Sequence, residues 1–354
     1  INLSMYAVAD SLREVLDSRR ASLPPLQADM QLPFATALLV DSDRRQVLEV
    51  FRNWTAQSEM SHYLVSSSAQ ANNRPNECLA ALSGITAGDQ WDTVPWCLHS
   101  VGRYQEELDT VRAGLRAKPD NPMLAHREAA ALAALGLGDE ALSIVRASRS
   151  IDAGPWRFAF TVNAGLELLA HGRPEEGREA LSLGIAWYED QPPAESARAL
   201  HRFEYGRALY SAGRWAEARE VLASLDVDLA NDPQLFGRPI PWGYHNADVM
   251  LRGFLGALAV RLGDQEEADR IDDLLRNTDR RFLFGEHLHA RAVVAAVRGD
   301  RDAAVGLLAD ALSAGKMWYH AWPGVGPRWD FHIDPDFASL RGYPPFEELI
   351  GPQD

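Results

Sequence analysis

Along most of the chain apolar residues recur three to four positions apart, the spacing that lines one face of a helix, and glycines interrupt the pattern at intervals. The run Glu204-Tyr205-Gly206-Arg207-Ala208-Leu209-Tyr210 leads into Gly213, and Ala218-Arg219-Glu220-Val221-Leu222 follows Trp215 on the other side. Comparable corners fall at Gly102, Gly136, Gly172, Gly213, Gly263 and Gly299, separated by 34, 36, 41, 50 and 36 residues. Five positions after the corner stands a small residue in five of the six cases, Ala141, Gly177, Ala218, Ala268 and Ala304, and Glu107 is the exception. Glycine makes the turn, and a small side chain beyond it lets two helices approach closely. Each unit therefore reads as a helix-turn-helix pair, with Gly206 at a close approach and Leu222 turned inward. Proline closes several helices, at Lys118-Pro119-Asp120-Asn121-Pro122, Gln191-Pro192-Pro193 and Asn231-Asp232-Pro233.

The ends of the chain follow a different pattern. Ser4 to Arg20 suits an amphipathic helix with Met5, Val8, Leu12, Val15 and Leu16 inward, stopped before Pro24-Pro25, and Asp43 to Trp54 suits another. His62 to Gln70 and Asn76 to Leu82 suggest two more. No period-two alternation with hairpin turns stands out, so the expected class is all-α. Three regions follow: 1–86, helical and either divergent repeats or a cap; 87–316, the repeat array; and 317–354, an aromatic-rich cap. Trp318, Trp322, Trp329, Phe331, Phe337 and Phe346 are there to cover the open apolar face of the last repeat. An array also explains the length, because a single compact core seldom grows beyond roughly 250–300 residues, whereas each stacked helix pair adds core.

These residues resemble tetratricopeptide repeats. Gly206, Gly213, Ala218 and Leu222 fit the family pattern in one unit, and Gly102, Tyr104, Val111 and Pro119 fit it in another. The resemblance covers about residues 87–316. It lacks the first-helix Trp, and the intervals of 41 and 50 require insertions or longer helices. His332-Ile333-Asp334-Pro335-Asp336-Phe337, then Leu340-Arg341, Pro344-Pro345-Phe346 and Leu349, is similar to the segment that closes many bacterial tetratricopeptide arrays, alone or behind Ser/Thr kinases and nucleotide cyclases. The implied fold is an all-α, right-handed α-solenoid with a C-terminal cap. In this family the first helices line a concave face. Counting back from each glycine places Trp96, His99, His126, Phe203, Arg207, Tyr210, Val260 with Arg261, and His289 there. Aromatic and arginine side chains at such positions suit a groove for a peptide or protein partner. The Lys, Asn and Arg clamp of the family's chaperone-binding members is not reproduced.

Composition narrows the partners. Asp and Glu outnumber Lys and Arg by 50 to 35, a net charge of −15, which opposes phosphate backbones and excludes nucleic acid as the expected ligand. Only Lys118 and Lys316 are lysines, so arginine supplies the remaining basic residues, as in a GC-rich bacterial genome. No stretch reaches the ~18 apolar residues of a membrane span, so no insertion is expected, although a membrane protein remains an allowed partner. The chain starts at Ile1, which points to a removed or missing upstream segment and leaves cytoplasm and periplasm both open. Cys78 and Cys97 form neither a CxxC pair nor a zinc spacing; a disulfide framework is not expected, and a lone disulfide is left open.

Candidate chemistry adds little. Pro323-Gly324-Val325-Gly326-Pro327 lacks the helix start and lysine of a phosphate loop. His287 and His289 in Glu286-His287-Leu288-His289 are two apart and point to different helix faces, so no metal or cofactor is expected. Glu175-Glu176, Glu266-Glu267 and Glu347-Glu348 fall at corners or helix starts, where acids favour the dipole. His320, His332 and Asp334 are the acid–base set an enzyme would use, and the same residues suit a cap. The sequence reading is a non-enzymatic scaffold, a subunit of a larger assembly, of unspecified oligomeric state. A second reading is the regulatory or sensor region of a kinase, cyclase or transcription regulator.

Overall fold

All six corner glycines adopt the left-handed backbone, with φ between 73° and 86°. At Gly213 the amide bonds to the Tyr210 carbonyl at 3.0 Å and the Arg214 amide to the Leu209 carbonyl at 2.9 Å, closing the end of one helix before the next begins. A Cβ on Gly213 would meet nothing within 4 Å, so backbone conformation and not space selects glycine there. This computed structural model describes residues 65–66, 69–70, 72–83, 93–147, 155–232, 235, 246–280, 283–316, 319–320 and 329–354. The helices expected over 4–20 and 43–54 lie outside the described residues. Of the expected 62–70 helix, residues 65–66 and 69–70 are described and helical.

Helix α1 spans Pro75–Leu82. Six helix pairs follow among the described residues: α2 (Thr93–Ser100) with α3 (Tyr104–Ala117), α4 (Pro122–Ala134) with α5 (Gly138–Ala147), and α6 (Pro155–Ala170) with α7 (Pro174–Glu189). Then come α8 (Ala199–Ser211) with α9 (Trp215–Asn231), α10 (Ala247–Arg261) with α11 (Gln265–Arg276), and α12 (Glu286–Arg298) with α13 (Arg301–Ser313). The two long intervals are taken up by added chain: a turn of helix at Pro193–Ser196 in one, and the 17-residue α9 plus the residues before α10 in the other. Each helix packs on its pair partner and on the next pair, the arrangement of an all-α solenoid.

The small residues do what their spacing predicts. Ala141, Ala218, Ala268 and Ala304 are fully buried where paired helices meet. On α8 a Cβ at Gly206 would lie 2.6 Å from Leu222 Cδ2, so that helix approaches α9 only because the position is glycine. Asp264 and Asp300 cap the second helices α11 and α13 by accepting from Glu267 N and Ala303 N. A disulfide between Cys78 and Cys97 ties α1 to α2; closing so short a loop contributes about 3 kcal/mol by chain entropy. Among the described residues, no helix is long and apolar enough to cross a membrane.

After α13 the backbone forms a two-residue antiparallel pair, β1 (Tyr319–His320) with β2 (Trp329–Asp330), then a 3-10 helix over Pro335–Leu340 and helix α14 (Pro344–Ile350). Helix α14 packs on α13, as a cap on the last repeat should. The segment also does more than cap. Phe331, Ile333, Phe337, Leu340 and Phe346 share one continuous apolar core with α6 to α10, α12 and α13. Beyond α14 the chain reaches the start of α1: Asn73 Nδ2 donates to the carbonyls of Ile350 and Gly351 at 2.8 and 2.6 Å, and Gln353 N to Asn73 O at 2.8 Å. The two ends of the described array are thereby joined by the C-terminal segment.

Candidate functional site

The first helix of each pair contributes side chains to the inner face, and residues 331–340 lie against several of them. Tyr210 on α8 donates its hydroxyl to Asp336 Oδ1, and Arg261 at the end of α10 reaches the same oxygen at 2.9 Å. The Arg261 guanidinium also covers the rings of Tyr210 and Trp215, each at 5.3 Å. Burial, with the neighbouring Asp334 charge, pushes Asp336 up to about 6 against the opposing pull of Arg261 and Tyr210. Burial and the Asp336 charge hold the Tyr210 hydroxyl well above its usual range. On α12, His289 stacks on Phe331 and meets Phe337 edge-on, both at 5.8 Å. Asp334 accepts from Asp336 N at 2.9 Å and caps the 3-10 helix. That local duty accounts for one member of the acid–base set named from sequence; the His320 side chain lies outside the described residues.

Of the predicted inner-face residues, Tyr210, Arg261 and His289 thus meet the terminal segment, and His99 meets it at His332, with ring centroids 5.5 Å apart. Trp96, His126, Phe203 and Arg207 pack deeper between helices. Phe203 meets Phe254 edge-on at 5.9 Å, and buried Arg207 pairs with Glu204 at 3.0 Å. Trp96 lies under the Arg127 guanidinium at 5.0 Å. His126 stands edge-on to Phe160, and neither of its ring nitrogens has a protein hydrogen-bond partner. A cleft between α6, α8, α10 and α12 is lined by Leu166, Met250, Phe254 and Val293, with Pro335 of the terminal segment also on its wall.

Burial, reinforced by the Arg127 charge, lowers His126 to about 3. Its folded value lies below the unfolded value near 6.5, so the unfolded chain takes up a proton first and stability falls as pH drops from about 6.5 toward 3. This loss reaches about 2 kcal/mol by pH 5. His126→Leu is expected to flatten that part of the stability profile in urea titrations at pH 7 and pH 5. An unchanged slope would show that His126 is not held neutral in the fold.

The other end of the face holds a charged cluster. His99, on the last turn of α2, faces Glu107 on α3, with Nδ1 and Oε2 2.7 Å apart. Arg127 on α4 donates to the other Glu107 oxygen. Across the groove Glu167 near the end of α6 brings Oε2 within 3.6 Å of His99 Nε2, 3.5 Å of His171 Nε2 and 4.0 Å of His332 Nε2. Burial alone would lower His99, but the carboxylates of Glu107 and Glu167 outweigh it and raise the ring to about 10. Burial likewise opposes the Glu167 charge, and His99, His171 and His332 hold that carboxyl well below its usual range. His332 is lowered to about 3, chiefly by burial.

Sequence reasoning found His99 and named His332 for a different role, but missed Glu107, Arg127, Glu167, His171 and Asp336. One signal was present. Glu107 breaks the rule that a small residue follows each corner by five, and a carboxylate buried at that helix contact needs buried cationic partners.

Together the fold and this face define a helical-repeat protein wrapped on its own C-terminal segment. No family model and no curated protein matches the sequence. Among solved structures the chain is similar to a tetratricopeptide repeat protein from Parabacteroides merdae, at 12% identity and a TM-score of 0.39, covering 77% of this chain and 93% of that one. It is also similar to the APC/C hetero-tetramer Cut9–Hcn1, at 16% identity and a TM-score of 0.37, covering 86% of this chain and 56% of that one, a little over half its length. At these identities neither likeness transfers a residue's role.

Proposed function

We propose that the chain is a non-enzymatic interaction scaffold whose inner face, lined by Trp96, His99, His126, Phe203, Arg207, Tyr210, Arg261 and His289, receives a segment of a protein partner. The observation that supports this reading is the one segment already seated there. Residues 331–340 place a carboxylate on Arg261 and Tyr210 and two phenyl rings on His289. An acidic, aromatic segment is therefore the chemistry this groove accepts, with the ring contacts giving area and the arginine giving direction. Phe203 and Arg207 stand behind those contacts on the helix that carries Tyr210, and Trp96 and His126 lie farther along the face on α2 and α4.

A partner of this kind competes with the chain's own terminus. Its apparent affinity is reduced by the fraction of molecules in which the terminus is docked. That favours the regulatory reading over a permanently open scaffold, since displacement of the terminus is the controlled step. The Cys78–Cys97 bond favours an oxidising compartment, periplasmic rather than cytoplasmic.

A labelled peptide reproducing residues 331–346 tests the groove. Offered to the full chain carrying Phe337→Ala, which weakens the resident segment, it is expected to bind more tightly than to the unmodified chain, and adding Arg261→Ala should abolish the gain. Equal anisotropy with all three folded proteins would reject the reading.

A further inference from the structure

We propose that His99, Glu167, His171 and His332 form a binding site for one divalent first-row transition ion, and that the ion clasps the C-terminal segment to the inner face. The four candidate ligand atoms lie within 4.8 Å of one another. In a tetrahedral shell with bonds of 2.0–2.2 Å, neighbouring donor atoms stand roughly 3.3–3.6 Å apart. Two of the separations from Glu167 Oε2, 3.5 Å to His171 and 3.6 Å to His99, are of that size, and the third, to His332 on the terminal segment, is 4.0 Å. They are too long for good hydrogen bonds, which lie near 2.7–3.2 Å.

The cluster is poorly explained as a hydrogen-bond network alone. His99 Nε2, Glu167 Oε2 and His171 Nε2 are buried without a protein hydrogen-bond partner, and the His99 and Glu167 side chains are only 2% and 5% exposed. Leaving such atoms buried and unsatisfied is destabilising. A cation at their centre would satisfy them together, displacing the His99 Nε2 proton to solvent as it binds. His171 and His332 are half-buried, at 19% and 32%, which gives an ion a way in.

The surroundings are also those of a metal ligand. Glu107 receives His99 Nδ1–H at 2.7 Å, which fixes the ring and directs Nε2 toward the other three groups, and Arg127 holds Glu107 from behind. Three imidazoles and one carboxylate, with no thiolate, suit zinc and its first-row neighbours; calcium and magnesium prefer oxygen shells. The ligands come from α2, from the end of α6 and from the terminal segment, so an occupied site joins three parts of the chain that are otherwise held by packing and polar contacts. This inference does not depend on the partner reading above.

Equilibrium dialysis of the full chain against zinc, with Co²⁺ absorption as a second probe, tests the site. One ion per chain is expected, with the visible spectrum of tetrahedral cobalt. His332→Gln, in the terminal segment and not in a repeat helix, and Glu167→Gln should each weaken binding by more than about 100-fold; Glu107→Gln should weaken it about 10- to 100-fold. His287→Gln, on α12 outside the cluster, should change nothing. Zinc should also slow amide exchange over residues 334–340 in the unmodified chain but not in His332→Gln. Failure of the unmodified chain to take up zinc, or equal uptake by His332→Gln, would overturn the proposal.

Discussion

Phe337→Ala is expected to lower the unfolding free energy by about 3–5 kcal/mol, the range for truncating a fully buried phenylalanine. Phe337 has no exposed surface and stands at the centre of a ring cluster, 5.9 Å from Phe331 and 5.8 Å from both Phe346 and His289. Three of these rings belong to the terminal segment, and His289 belongs to the array. Truncation therefore opens a cavity at the seam between them, where the 3-10 helix has few backbone bonds with which to resist. The loss should be visible in urea unfolding and as faster proteolysis within residues 331–347. A change below about 1 kcal/mol would mean that the segment's packing contributes little to the fold.

Arg127→Met should be comparably costly, about 3–5 kcal/mol, for a different reason. The Arg127 side chain is 3% exposed and Glu107 is fully buried, so removing the guanidinium leaves a carboxylate in the interior with one partner fewer. The desolvation cost of Glu107 has then lost one of its offsets. Glu107→Gln removes the charge that Arg127 serves, so the double variant should be more stable than the sum of the two single losses predicts. A double-mutant cycle in urea, run with a chelator to keep the His99 site free of metal, measures this coupling. Strict additivity would show that the pair is not an energetic unit.

The repeat architecture was legible because its requirements are local. A left-handed turn needs glycine at Gly102 or Gly213, and a close helix crossing needs a small residue at Ala218 or Gly206, wherever the rest of the chain goes. The same register placed Tyr210, Arg261 and His289 on the inner face. What those residues hold could not be read that way. Asp336, Phe331 and Phe337 reach them only because the terminal segment, expected as a cap over the last repeat, also crosses the array and ends at Asn73. No periodicity encodes such a return.

The charged cluster was hidden for the same reason. Glu167 and His171 are one helical turn apart and form a readable pair, but His99 and His332 join them through tertiary folding. Inspection of local spacing turned instead to His287 and His289, neighbours in sequence. Of these, His289 serves the aromatic seam. Glu107, the exception to the small-residue rule in its repeat, was the local irregularity nearest the cluster.

Amide hydrogen exchange over residues 334–347 tests the central claim most directly. In the folded chain the amides of Asp336, Phe337, Tyr343, Phe346 and Glu347 donate to Asp334, Leu340 and Tyr343 beneath a buried aromatic seam. Protection approaching that of α10 and α12 is the predicted result, and it should fall selectively in Phe337→Ala. Exchange of these amides at the rate of an unstructured peptide, while the helices stay protected, would contradict an array folded around its own terminus.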